Sequence, residues 1–413
     1  MNKKTLKQFA IWAHRELRKK NGQKLSERIK THAVDDKNDV AGQNEWQKRL
    51  RLQTEDEIVE HYSYQWFIRI VALRFMDVNG YLSFKYPLFK TLLHNDTSQW
   101  NAFDIAEFSS LGRDAFILKI CHKLHNSFPN IFTTDDGSDC FFPDNAWEKD
   151  GFIGKFVHTI PDDEFYVQGN GQVEIIGWLY QYFFSEAHDE AVDPLHGGAI
   201  KKDDIPLVTQ IFTPEWIVQY IVDNALGRFW IEHHPNDDII GKFKYLVREN
   251  VHISEKKVSP EDITVFDPCV GAGHFLTYAF DLLMKIYLSN GYKIEEAVRC
   301  IIEKNLYGVD IDARMIHIAQ FALAMKAIQY DINYSPDQSS FHLYTIGESN
   351  DINVKQYHDI FKHEPSLKKN VMQLMKEMHY AKAFGSLLPS DIVDIRELTG
   401  FIEKHRYDNN DQI

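Results

Sequence analysis

With 413 residues, 44% of them hydrophobic and 26% charged, the chain has the composition of a globular protein long enough for two or three domains. It holds no run of about 18 apolar residues, so no membrane span is expected, and its polar, basic start lacks the apolar centre of a secretory signal. Charge is uneven: residues 1–51 carry 14 Lys and Arg against 6 Asp and Glu, and the remainder 32 against 54, within a formal net charge of −14. Such a body is a poor phosphate binder by itself, while the basic arm suits nucleic acid or an acidic partner protein, or is simply a solvated helical face.

In chain order, Lys3 to about Lys30 reads as a helix with Leu6, Phe9, Ile11, Trp12, Leu17, Leu25 and Ile29 as its apolar positions, and 31–44 as a polar loop. Glu55–Val78 reads as a long helix with a broad apolar face, stopped by Asn79-Gly80. Amphipathic helices are expected over Phe116–Phe128 and Glu174–Ala187, which makes 1–192 a mainly helical domain. Residues 193–205, with Pro194, Gly197-Gly198 and Lys201-Lys202, are the best linker candidate. After it, Thr213 is placed to N-cap a helix with Pro214 at its first position, ending at Gly227. Such a cap needs no ligand, although the position just ahead of the glycine turn suits a role in closing a pocket.

The stretch Val265-Phe266-Asp267-Pro268-Cys269-Val270-Gly271-Ala272-Gly273-His274-Phe275 reads as a buried strand (263–266), a tight turn and a helix from His274 to Ser289. Gly271 and Gly273 let a ligand lie against bare backbone, and the first amides of the helix face it with partial positive charge. Leu276 stands where a dinucleotide fingerprint has its third glycine. Asp267 at the strand end suits a ligand carrying an ammonium group, such as S-adenosyl-L-methionine, rather than a pyrophosphate. A second strand, Asn305 to Asp312, ends in carboxylates, and Asp310 is placed to accept both ribose hydroxyls, with Ile311 against the adenine. Asp312 reads as the N-cap of a helix over 313–328. A third strand over 341–345 leads to Glu348, either an acceptor from the adenine amino group or a plain turn carboxylate. The strand–helix alternation predicts a parallel α/β sheet with about three strands visible, and 351–413 reads as polar helices. Cys121, Cys140, Cys269 and Cys300 lack paired metal spacing, so free thiols in a cytoplasmic protein are expected. His233-His234 reads as a helix end rather than a metal site.

Several stretches together resemble one family: Tyr64-Gln65-Trp66-Phe67-Ile68-Arg69-Ile70-Val71-Ala72-Leu73-Arg74-Phe75-Met76, Gly177-Trp178-Leu179-Tyr180-Gln181-Tyr182, Phe212-Thr213-Pro214-Glu215-Trp216-Ile217-Val218, the Asp267 turn, Tyr307-Gly308-Val309-Asp310-Ile311-Asp312 and Glu348-Ser349-Asn350. In this order they resemble the N-terminal part of the adenine-specific DNA methyltransferases of BREX phage-resistance systems, the PglX family, relatives of type IIG and type I restriction-modification methylases. The turn departs from the family's Asp-Pro-Ala-Cys-Gly-Ser-Gly-His by small swaps, Cys269-Val270 for Ala-Cys and Ala272 for Ser. The resemblance implies a Rossmann-like α/β methyltransferase core over 206–350 after the helical domain, with a further helical segment over 351–413. It also implies an S-adenosyl-L-methionine site from Thr213, Asp267, Gly271, Gly273, Asp310, Ile311 and Glu348, and double-stranded DNA as partner, with the target adenine flipped out of the duplex.

The family positions that adenine with an Asn/Asp-Pro-Pro-Tyr/Phe segment. None of the 13 prolines here adjoins another, so no catalytic residue is assigned. The expectation is a cofactor-binding part that does not methylate DNA alone, either a fragment of a longer enzyme or a naturally truncated or split polypeptide completed by a second chain, with other BREX defence proteins as further partners. The competing readings are a non-catalytic scaffold holding DNA or a partner defence protein and, more weakly, a nucleotide-dependent oxidoreductase.

Overall fold

The computed structural model describes residues 2–35, 45–82, 86–134, 137–169, 171–192, 205–209, 211–336, 341–351 and 365–384. The chain divides into two compact units, Met1–Gly197 with Leu207–Tyr344, and Gly198–Pro206 with Thr345–Ile413. The expected loop over 36–44 and nearly all of the expected linker lie outside the described residues.

The first unit begins with α1 (Lys3–Asp35), longer than expected because Thr31 and its neighbours continue the helix. Leu6, Phe9, Ala10, Ala13, Leu17 and Leu25 form its buried stripe at helical spacing. It packs on α2 (Glu55–Val78). Thr54 opens α2 with a reciprocal cap: its Oγ1 accepts from Glu57 N–H at 3.3 Å, and its own N–H donates to Glu57 Oε2 at 2.7 Å. The expected apolar face proved too modest, since nearly every residue from Tyr62 to Met76 is buried, Arg69 and Arg74 included. Arg69 donates to the carbonyls of Ile131 and Thr133 and to Ser138 Oγ, and Arg74 pairs with Asp162 and Asp77. Buried cations persist only with such partners.

α3 runs from Ala102 to Leu124, fourteen residues ahead of its expected start. Asn101 caps it by accepting from Asp104 N–H at 2.8 Å, and Gly112 interrupts it. Its early turns leave Phe103 and Leu111 exposed, so they carry no amphipathic signal. α4 (Ile175–Phe183) stops four residues short of the expected end, and a separate helix follows over Ser185–Val192. Thr213 is not a cap. Pro214 occupies the N-cap of α5 (Glu215–Val222), which then widens into a π-turn over Asp223–Gly227 and continues as Arg228–His233. Gly227 therefore does not end the helix; the Phe243 ring lies within 3.4 Å of where its Cβ would stand. His234 stacks on Trp230 and bonds the Val258 carbonyl, and His233 bonds the Phe229 carbonyl.

The α/β part follows the expected order: β1 (Val265–Asp267), α6 (His274–Ser289), α7 (Ile294–Cys300), β2 (Leu306–Asp310), α8 (Ala313–Tyr330) and β3 (His342–Thr345). Sheet order is β1-β2-β3, with Val265, Phe266 and Asp267 opposite Leu306, Tyr307 and Gly308 in a parallel pair. Asn305 fixes where β2 starts. Its buried amide donates to the carbonyls of Pro260 and Ile263 and accepts from Tyr287 OH, which leaves no polar atom of that side chain unmet.

α8 is apolar on two sides. Met315, Ile318, Phe321, Ala322 and Met325 join the core of the helical region, and Ile316, Ala319, Leu323 and Ala327 join that of the sheet. One helix thus serves both cores, as an all-round apolar helix must. In the second unit the described helix Pro365–Glu377 is followed by Met378–Phe384. Among the described residues no helix is long and apolar enough to cross a membrane.

Candidate functional site

The glycine turn is held from both strands. Val270 N–H donates to the Val309 carbonyl at 3.1 Å and Gly271 N–H to Asp310 Oδ2 at 2.9 Å. Gly271 at φ 52° and Gly273 at φ 86° take the left-handed conformation that Cβ-bearing residues resist. Gly273 is the N-cap of α6 and supplies no side-chain cap to its first amides, the arrangement that favours an anionic or electron-rich group there. Gly308, opposite Asp267, is needed for closeness: a Cβ there would lie 2.2 Å from Val270 Cγ2 and 3.1 Å from the Asp267 carbonyl.

Asp267 and Asp310 meet across this turn, at the C-terminal ends of adjacent strands. Asp267 Oδ1 accepts from Cys269 N–H at 3.0 Å, and its Oδ2 is buried with no hydrogen-bond partner. Asp310 Oδ1 accepts from Asp312 N–H at 2.9 Å while Oδ2 holds Gly271. Burial pushes the Asp267 carboxyl above its ordinary range, against the pull of the Cys269 amide, and the charge of Asp310 adds to the push. Burial also raises Asp310, against the amides of Asp312 and Gly271. Two half-buried carboxylates that resist ionising side by side are a site that a cation stabilises.

Of the other expected residues, Ile311 follows Asp310 and is partly exposed. Asp312 caps α8 as expected, accepting from Arg314 N–H at 2.9 Å. Thr213 lines a cavity of about 290 Å³ with Lys3, Glu174, Trp178, His274, Tyr278 and Lys326, a lining that does not include Asp267 or Asp310. Its neighbour Phe212 joins it to the turn, since the ring lies 3.7 Å from the position of a Cβ on Gly271. Glu348 belongs to the second unit, where Asn350 Nδ2 donates to its Oε2 at 3.3 Å.

Three features escaped the sequence reading. Gly177 of α4 lies against the turn: a Cβ there would be 2.5 Å from the Cβ of Ala272 and 3.2 Å from both His274 Nε2 and the Phe212 ring. His274 is buried with its Nε2 lacking a hydrogen bond. Burial lowers its pKa, and Lys3 adds to this, against the Glu174 carboxylate and the backbone of Glu174 and Thr213. Third, the basic arm is partly neutralised at home, with Arg15 on Glu186, Arg18 on Asp56 and Glu60, and Lys24 on Asp144. Only the short Gly177-Trp178-Leu179-Tyr180 stretch carried any hint of the first.

Comparison with known proteins bears on this geometry. Residues 248–363 match the family of the MmeI DNA-methyltransferase domain. The chain is 33% identical over 320 residues to the adenine-specific methyltransferase BrxX of Escherichia coli O9:H4 (strain HS), covering 69% of this chain and 25% of that protein. It is 35% identical over 334 residues to the adenine-specific methyltransferase PglX of Lacticaseibacillus casei (strain Zhang), covering 70% of this chain and 26% of that protein. The chain is a homologue of the BrxX and PglX adenine-specific methyltransferases. The resemblance read from its motifs is thereby borne out, and the chain spans about a quarter of the length of these relatives. Among solved structures it aligns with the type IIL restriction-modification enzyme MmeI in complex with DNA, at a TM-score of 0.36 and 15% identity, covering 86% of this chain and 41% of that one.

Proposed function

We propose that this chain is the cofactor-binding part of an adenine-N6 DNA methyltransferase of the BREX type, with S-adenosyl-L-methionine as its ligand. The observation that carries the reading is the pair Asp267 and Asp310, brought to one turn by adjacent parallel strands and both raised in pKa by burial, with the charge of Asp310 adding to the push on Asp267. A ligand with a positive centre and a vicinal diol answers both. The residues fit it. Asp267 Oδ2 is a buried acceptor without a donor, a carboxylate such as Asp310 has acceptor capacity beyond the backbone amides it holds, and the glycine turn leaves room for close approach.

In this reading Asp310 holds the ribose hydroxyls with Ile311 beside the adenine, Asp267 faces the positively charged end and Thr213 borders the methionine end. When bound, the cofactor supplies the methyl group for transfer to adenine. No Pro-Pro pair stands anywhere in the 413 residues, so these residues are assigned cofactor binding and not the transfer step. That step would need an Asn-Pro-Pro-Tyr-type segment supplied by further polypeptide, with double-stranded DNA and other BREX proteins as partners. Titration calorimetry of the folded chain with S-adenosyl-L-methionine tests the reading. Saturable heat that disappears in Asp310→Ala supports it, and no heat with wild type refutes it.

A further inference from the structure

The support of Asp310 can be traced continuously into the helical region. Its Oδ1 accepts from Asp312 N–H at 2.9 Å. Asp312 is in turn gripped by Arg314 as a fork, Nε to Oδ1 at 3.0 Å and Nη2 to Oδ2 at 2.8 Å, and Tyr180 OH donates to the same Oδ2 at 3.2 Å. The guanidinium then sits among three rings, 5.0 Å from Phe184, 5.8 Å from Tyr64 and 5.9 Å from Tyr180. All three rings are buried. Tyr64 lies on α2 and Tyr180 on α4, so two elements from the first half of the chain converge on a cation four residues beyond the end of β2.

This is more than a helix cap needs. Asp312 already caps α8 through the Arg314 N–H, and a cap asks for no guanidinium held beside three rings. A bidentate fork to a carboxylate is a feature of arginine that lysine cannot reproduce. The arrangement also keeps the charge of Asp312 balanced next to Asp310.

We infer that Arg314, set beside the rings of Tyr64, Tyr180 and Phe184, is a positioning residue that acts through Asp312 to hold Asp310 in its ligand-ready orientation. The inference rests on the reading of Asp310 as a cofactor ligand. It makes the helical region part of the cofactor site by mechanical support.

The test is a binding cycle on the full chain, titrating S-adenosyl-L-methionine into wild type, Arg314→Lys, Asp310→Asn and the double variant. Arg314→Lys should weaken binding about 10-fold, as a coupled neighbour does, and should add almost nothing in the Asp310→Asn background. Tyr180→Phe, which keeps the ring and removes the hydroxyl, should show a smaller loss of the same non-additive kind and decides the matter if Arg314→Lys fails to fold. Losses that simply multiply in the double variant would show a general structural role and overturn the inference. So would wild-type affinity in a folded Arg314→Lys. A wild-type chain that binds no cofactor would sink the functional reading, and this inference with it, whereas binding by wild type with no coupling sinks only the inference.

Discussion

Gly177→Ala should separate intrinsic helix preference from the packing of α4 on the glycine turn. Position 177 lies inside a helix, where alanine is favoured over glycine by about 1 kcal/mol. In an isolated helix the substitution would therefore stabilise. Here the new Cβ would lie 2.5 Å from the Cβ of Ala272, whereas carbon atoms rest at about 3.5–4.0 Å. Neither methyl has a rotamer with which to escape, so the backbone must separate by about 1 Å, and overpacking of this kind costs about 1–3 kcal/mol. The clash wins, by on the order of 1 kcal/mol, and the turn that moves is the one bonded to Asp310 through Gly271. Thermal denaturation should show a Tm lower by roughly 2 °C, and calorimetry should show weaker binding of S-adenosyl-L-methionine. Adding Ala272→Gly removes the facing methyl and should recover both. A single variant that melts higher than wild type with unchanged affinity would refute the argument.

Gly308→Ala should be harsher on the fold, because its Cβ would meet the stiff Val270 side chain at 2.2 Å; chemical denaturation should show a loss of about 2 kcal/mol, partly restored by Val270→Ala. Asp267→Asn should raise the stability of the ligand-free chain while weakening cofactor binding. The folded chain holds the Asp267 carboxyl above its ordinary pKa, so the native state binds that proton more tightly than the unfolded state does. Its contribution to stability is then full below the unfolded pKa and is lost as pH rises through the folded one. The advantage of the Asn variant in Tm should accordingly be largest near neutral pH and fade in acid; equal melting at pH 7 would contradict it. Cys269 is exposed beside the two carboxylates, while Cys121 and Cys300 are buried. Partial desolvation at the turn and the charges of Asp267 and Asp310 push its thiol pKa up, so maleimide labelling should be slow at neutral pH and slower still with S-adenosyl-L-methionine present. Mass mapping that finds Cys269 labelled equally fast with saturating cofactor would argue against its place at the site.

The local pieces of the site were legible in the residues themselves. The extent of α6, the strand ends at Asp267 and Asp310 and the cap at Asp312 follow from spacing of only a few residues, and short-range rules of turn and cap chemistry determine them. Where the reading failed locally, a neighbour had overridden the rule. Phe243 packs on Gly227 and the helix runs on past it, and the α2 face became a fully buried cylinder because other elements surround it. What lay beyond the sequence is every contact made between distant segments. Gly177 meets Ala272 across 95 positions, and Tyr64 and Tyr180 close on Arg314 across 250 and 134 positions. No local pattern marks a glycine that faces a methyl on another element, or an arginine destined for three rings, because side-chain periodicity records only whether a position is covered. Which partner covers it is decided when the helical region and the sheet close around α8 and share its two apolar sides.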